Sequence, residues 1–196
     1  MRRLLRACDR LSTMVGQLFG WLIVGLTLLI AFEVVSRYVF GRPNGWSLDL
    51  TIMGFAALFM MGGAYGLAQQ AHVRGDILYG MLKPRTQAAI DLVLYAGFFC
   101  PGVAALVWAG FGFATESWVI REHSAMTADG LPVYPLKAII PMAGTLLMLQ
   151  GLAESLRCVV CLRSGAWPER QTDVLEGDLA QSRASLGVDA APPVRP

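Results

Sequence analysis

Two charged pairs interrupt long apolar stretches of the sequence, and each has the spacing of neighbours on one helix face. Glu33 and Arg37 are four residues apart, and Glu154 and Arg157 are three apart, so each carboxylate can pair with its guanidinium. A charge inside a bilayer costs about 2.5–3.5 kcal/mol on insertion scales, and pairing lowers that cost. Each pair is therefore a structural ion pair near a membrane surface, or part of an ion pathway or subunit contact. We favour the structural ion pair in both cases.

A second group of polar side chains follows the second apolar stretch. His72, Arg74 and Asp76 alternate along the chain, so they share one side if the segment is extended. They are too few for a metal site, which leaves a clamp to a partner or to lipid headgroups, or a solvated loop. Apolar residues at helical spacing in the stretch 77–82 predict a short amphipathic helix lying in the membrane interface.

Cys158 and Cys161 form the one pattern that suggests redox work. A C-x-x-C pair can be a thiol switch or half of a metal site, but a membrane oxidoreductase also needs a second pair on an outer loop, and the sequence has none. The sequence also contains no nucleotide-binding loop and no nucleophile with its base. We therefore predict neither an enzyme activity nor a cofactor or metal.

Long apolar stretches must position these residues. Of 196 residues, 55% are hydrophobic and 15% are charged, whereas about a quarter are charged in a soluble domain. The segments 14–35, 51–68, 92–115 and 138–162 are apolar, and each approaches or exceeds the length of about 20 residues that crosses a bilayer. The sequence predicts an all-α integral membrane protein with four transmembrane helices plus the short interfacial helix. A net charge of +2 gives no argument for a nucleic-acid partner.

Lysine and arginine are concentrated in alternate connecting segments. They cluster at the N-terminus, between the second and third spans, and after the fourth span, and such segments face the cytoplasm. We predict a multi-pass membrane protein with both termini cytoplasmic. Its parts are a basic cytoplasmic N-terminus (1–13), a four-helix membrane domain (14–165) and a disordered cytoplasmic tail (166–196), whose composition is polar and lacks apolar periodicity.

Three segments, 37–50, 62–78 and 132–141, resemble those of one known family in their order and spacing. The first has Trp46 and Asp49 at the start of the second span, and the second leads from a small-residue helix into the His-x-Arg-x-Asp run. The chain resembles the small, DctQ-type permease subunit of tripartite ATP-independent periplasmic (TRAP) transporters over about residues 10–165. It departs at Leu48, where the family has an acid, and at Gly75, where an aliphatic residue is common.

The resemblance implies a role as one subunit of a solute importer in the bacterial inner membrane. The family's partners are a large permease subunit, which is thought to hold the substrate and ion sites, and a periplasmic substrate-binding protein. The solute is often an organic acid, and symport is driven by an ion gradient, commonly sodium. The chain itself would brace the large subunit, contact membrane lipid and help to dock the binding protein.

The same resemblance suggests contact roles for the polar residues. Trp46 and Asp49 would anchor the outer start of the second span, and His72, Arg74 and Asp76 would brace its inner end. The alternative function is a self-sufficient transporter or channel that works as a homo-oligomer, with Glu33 as its essential membrane-embedded charge. A membrane redox protein is a third class, but His72 and His123 lie on opposite sides of the predicted membrane and cannot share a haem.

Overall fold

The chain is built almost entirely from helices. The computed structural model describes residues 2–69, 79, 81–128 and 130–168. The helices are α1 (Arg2–Gly20), α2 (Leu22–Tyr38), α3 (Gly45–Ala68), α4 (Pro84–Leu94), α5 (Cys100–Ile120) and α6 (Tyr134–Ser164). A single π-helical turn, Tyr95–Phe99, joins α4 to α5.

Four stretches of helix in the described residues are long and apolar enough to cross a membrane, which confirms the predicted fold class. These spans are Leu5–Tyr38, Gly45–Ala68, Pro84–Ile120 and Tyr134–Ser164. Helical structure continues beyond the predicted spans into the polar segments at every end except the C-terminal end of α3, which is Ala68 as predicted. The largest extension is in α1, which begins at Arg2, within the segment predicted as a basic N-terminus.

The helices form a layer in the order α2, α3, α6, α5. In this layer α3 packs against α2 and α6, and α5 packs against α6. Helix α1 packs on both α3 and α6, and α4 packs on α6. Since α2 and α5 make no substantial contact in the described part of the chain, the layer is open and does not close into a four-helix bundle.

Small residues let the central helices approach each other closely. A Cβ added at Gly151 in α6 would lie 2.2 Å from Phe99 Cε1, and one added at Gly16 in α1 would lie 2.3 Å from Tyr65 Cβ. Phe99 belongs to the π-helical turn just before Pro101, which has no N–H for the helical ladder. The wider turn therefore accommodates the proline and places the Phe99 ring over Gly151.

Replacing Gly151 by leucine is expected to destabilise the chain by about 1–3 kcal/mol, because the new side chain must displace Phe99 from a packed contact. Gly102 provides the matched control, since a Cβ there meets nothing within 4 Å. Thermal unfolding of both variants in the same detergent measures the difference. Equal melting temperatures for Gly151→Leu and Gly102→Leu would show that the contact contributes nothing.

Candidate anchoring sites at the two ends of the layer

One end of the layer contains Glu33, near the end of α2. Its Oε1 accepts a hydrogen bond from Arg37 Nη2 at 2.9 Å, the ion pair that the spacing of four residues predicts. Glu33 also accepts bonds from Asn44, from its backbone N–H at 3.3 Å and from Nδ2 at 3.1 Å. The carboxylate is 13% exposed while Arg37 is 54% exposed. Glu33 therefore holds the loop between α2 and α3 in place through Asn44. The more exposed Arg37 side chain pairs with the same carboxylate.

Asp49, in the first turns of α3, holds the loop between α5 and α6. It is 3% exposed. Its carboxylate accepts hydrogen bonds from Ser124 Oγ at 2.6 Å, from Thr127 Oγ1 and from the Leu131 backbone N–H at 3.4 Å. Asp49 is predicted from the sequence as an anchor, but these partners are not, since they lie more than 70 residues away in a loop without a motif. Trp46, one turn before Asp49, is 36% exposed and can face lipid or another protein.

A second ion pair joins the two ends of the loop between α5 and α6. Lys137, in the first turn of α6, donates to Glu122, and its ammonium lies 3.9 Å from the Phe113 ring centroid. The hydrogen bond from Lys137 lowers the pKa of Glu122 below its usual value. A carboxyl with a lowered pKa stabilises the fold above its unfolded pKa, near 4.5, and loses that contribution as pH falls further. The loop is therefore held most firmly at neutral pH.

The other end of the layer contains a buried polar network between α1 and α6. Arg157 pairs with Glu154 on its own helix and with Asp9 on α1. Gln150 Nε2 donates to Asp9 at 2.9 Å, and Ser12 Oγ donates to Gln150 Oε1 at 3.1 Å. Asp9, Glu154 and Arg157 are each at most 4% exposed.

This network ties the N-terminal helix to the last span. The intrahelical pair between Glu154 and Arg157 has the geometry that its spacing predicts. The sequence does not indicate Asp9 as its partner, because Asp9 lies in the basic N-terminal segment. One signal was available: Leu5, Asp9, Ser12 and Gly16 recur at the spacing of one helix face. All four pack inward or contact α3 or α6.

The predicted cluster of His72, Arg74 and Asp76 lies outside the described residues, as does most of the predicted interfacial helix at 77–82. Of that stretch, residue 79 is helical and residues 81 and 82 form a turn and a bend. Tyr79 is bonded to α4: its Oη donates to Asp91 at 2.7 Å, and Gln87 Nε2 donates to the Tyr79 carbonyl at 2.8 Å. Trp167, which follows α6, donates from Nε1 to Gln87 at 3.1 Å.

Cys158 and Cys161 are packing residues at this end. They are 1% and 0% exposed and form a core cluster with Ala88 of α4. Neither cysteine is in a disulfide, and Cys161 Sγ lies 3.5 Å from the Pro84 carbonyl oxygen. Burial on this scale keeps both thiols away from soluble reductants and oxidants.

Comparison with known proteins gives two matches. The family described as "Tripartite ATP-independent periplasmic transporters, DctQ component" matches residues 26–161. The C4-dicarboxylate TRAP transporter small permease protein DctQ of Vibrio cholerae serotype O1 is 28% identical over 118 residues. That alignment covers 59% of this chain and 49% of the relative, so the match spans about half the length of the curated protein.

Proposed function

Because the chain belongs to the DctQ component family of the tripartite ATP-independent periplasmic transporters, we propose that it is the membrane scaffold of a solute importer. It is a small TRAP transporter subunit and a multi-pass membrane protein. Its partners are a large permease subunit, which carries the solute, and a periplasmic binding protein, which delivers it. The solute is an organic acid of the kind named for the Vibrio cholerae relative, a C4-dicarboxylate, and uptake is symport driven by an ion gradient.

The open layer is the observation that supports the scaffold role most strongly. Between 6% and 33% of the residues in the most apolar part of each span are buried within the chain. The layer of α2, α3, α6 and α5 is covered on one side only where α1 packs on α3 and α6, so much of both apolar faces stays open. Helices α2 and α5 do not meet to enclose a path through the described part. Such a layer is suited to covering one side of a larger membrane protein, which supplies the path itself.

The charged residues of the spans also favour the scaffold over a self-sufficient transporter. Glu33 is occupied by Arg37 and Asn44, and Arg157 joins Asp9 and Glu154. An essential transport carboxylate must release its partners to bind and free an ion. Glu33 instead holds a loop in place, so we expect Glu33→Gln to weaken the subunit without abolishing uptake by the assembled complex.

The end of the layer that contains Asp49 is proposed as the docking platform for the binding protein. Asp49 and Glu33 each fix one connecting loop, so the two loops form a rigid surface at the outer side of the membrane. Trp46 lies at the rim of this platform, where an aromatic ring can contact the partner or the headgroup region. At the inner end, His72, Arg74 and Asp76 are proposed to contact the large subunit or lipid.

This proposal gives both termini a cytoplasmic location, and a labelling experiment tests it. Met126 is 72% exposed in the loop that we assign to the periplasm, and Arg163 is exposed near the end of α6. In a background with Cys8→Ser and Cys100→Ser, a membrane-impermeant maleimide is expected to label Met126→Cys in intact cells. Arg163→Cys should react only after the cells are opened, and the reverse pattern would invert the topology.

Uptake by reconstituted components tests the function. Vesicles that contain the large subunit, this chain and the binding protein should take up a C4-dicarboxylate when an ion gradient is imposed. Vesicles that contain this chain and the binding protein alone should show none. Uptake by this chain without the large subunit, abolished by Glu33→Gln, would overturn the scaffold role in favour of the homo-oligomeric transporter.

A further inference from the structure

Helix α1 has three distinct faces along its length. Leu5, Asp9, Ser12 and Gly16 pack against the other helices. Leu11, Met14 and Leu18 form an exposed apolar face, with 45%, 59% and 69% of each residue accessible. A third face contains Arg6, Arg10, Thr13 and Gln17, which follow one another at intervals of three or four residues and therefore lie along one side of the helix.

We propose that this polar face of α1 binds the phosphate groups of anionic phospholipids at the inner surface of the membrane. Arg6, Arg10 and Gln17 are exposed. Within the described part of the chain, the side chains of these three residues make no hydrogen bond or ion pair. The nearest carboxylate along the helix, Asp9, is buried and paired with Arg157, so it does not neutralise the two arginines.

The position of α1 in the layer puts this face at headgroup level. Asp9 contacts Arg157 in the last third of α6, and Ser12 contacts Gln150 near the middle of that helix. Gly16 contacts Tyr65 near the end of α3. Helix α1 therefore starts at the side where α3 and α6 leave the bilayer and runs from there along α6. At a rise of about 1.5 Å per residue, the polar face runs for roughly 16 Å, from the water side toward the acyl chains.

The two exposed faces together match the chemistry of a phospholipid. Guanidinium groups donate paired hydrogen bonds to phosphate oxygens, and a lysine or arginine near an anionic surface contributes a several-fold gain in affinity. The adjacent apolar face, with Leu11, Met14 and Leu18, is available to the acyl chains of the same lipid. An acidic segment of a protein partner would satisfy the arginines but not this apolar face.

Native mass spectrometry of the full-length chain in detergent, titrated with phosphatidylglycerol, tests the proposal without other subunits. Because each arginine near an anionic surface contributes about 1 kcal/mol, Arg6→Gln/Arg10→Gln is expected to weaken phosphatidylglycerol binding about 30-fold. Arg6→Lys/Arg10→Lys keeps the charge and should retain most of the affinity. Arg42→Gln changes an exposed arginine at the opposite end and should bind as the unaltered chain does.

The same titration with phosphatidylcholine, and a melting curve for each variant, separate lipid recognition from folding. The proposal predicts that the glutamine double variant melts in phosphatidylcholine as the unaltered chain does. It predicts a loss of affinity for phosphatidylglycerol only. It is overturned if the glutamine double variant binds phosphatidylglycerol as the unaltered chain does. Because the titration needs neither a transport assay nor a known orientation, its failure is distinguishable from failure of the scaffold role.

Discussion

Arg157→Met is expected to destabilise the chain by about 3–5 kcal/mol, the cost of leaving buried carboxylates without their cation. Asp9 and Glu154 both pair with Arg157 and are at most 4% exposed, so neither can recover its hydration while the helices stay packed. We expect Arg157→Met to lower the melting temperature in detergent and the yield of folded protein. Loss of the contact should also release α1 from α6, which limited proteolysis near the N-terminus detects.

Two comparisons make this prediction specific. Arg163→Met removes an exposed arginine two turns later on the same helix and should change stability little. Removing all three charges, with Asp9→Asn, Glu154→Gln and Arg157→Met together, should recover much of the lost stability, because no ion is then left buried. If Arg157→Met melts at the same temperature as Arg163→Met, the network does not fasten the helices.

Asp49→Ala is expected to cost about 1–3 kcal/mol, since it leaves buried hydrogen-bond donors without an acceptor. The effect should be concentrated in the loop between α5 and α6, where Ser124, Thr127 and Leu131 lose their common partner. Faster hydrogen exchange over residues 121–131 measures that loosening. If this loop is part of the docking platform, Asp49→Ala should also lower the affinity of the chain for the periplasmic binding protein.

The matched control for this substitution is Glu116→Ala, which removes an exposed carboxylate at the same end of the layer. It should leave exchange in the loop unaltered. Slow exchange over residues 121–131 in Asp49→Ala would contradict the structural part of the prediction. Fast exchange with full binding-protein affinity would instead remove this loop from the docking platform.

The four spans were predictable because a bilayer sets their length and excludes charge from their middle. The two intrahelical ion pairs were predictable for a similar reason, since helix geometry alone brings residues three or four apart together. Both signals are local. They needed no knowledge of which helices are neighbours.

The long-range partners were not predictable in the same way. Asp9 pairs with Arg157 across 148 residues of sequence, and Asp49 bonds to Thr127 across 78. No periodicity links such positions, because the order of helices in the layer decides them. That order depends on close contacts such as Gly151 with Phe99, and glycine is too frequent in membrane helices for its spacing alone to identify a neighbour.

The central claim is that this chain works as the scaffold of a larger permease. The most direct test is to identify the proteins with which it forms a complex in the membrane. The chain should be purified from its native membrane in mild detergent and its companions identified and counted by mass spectrometry. The scaffold role predicts a large polytopic permease subunit in equal amount. Recovery of the chain alone, as a stable homo-oligomer, would contradict it.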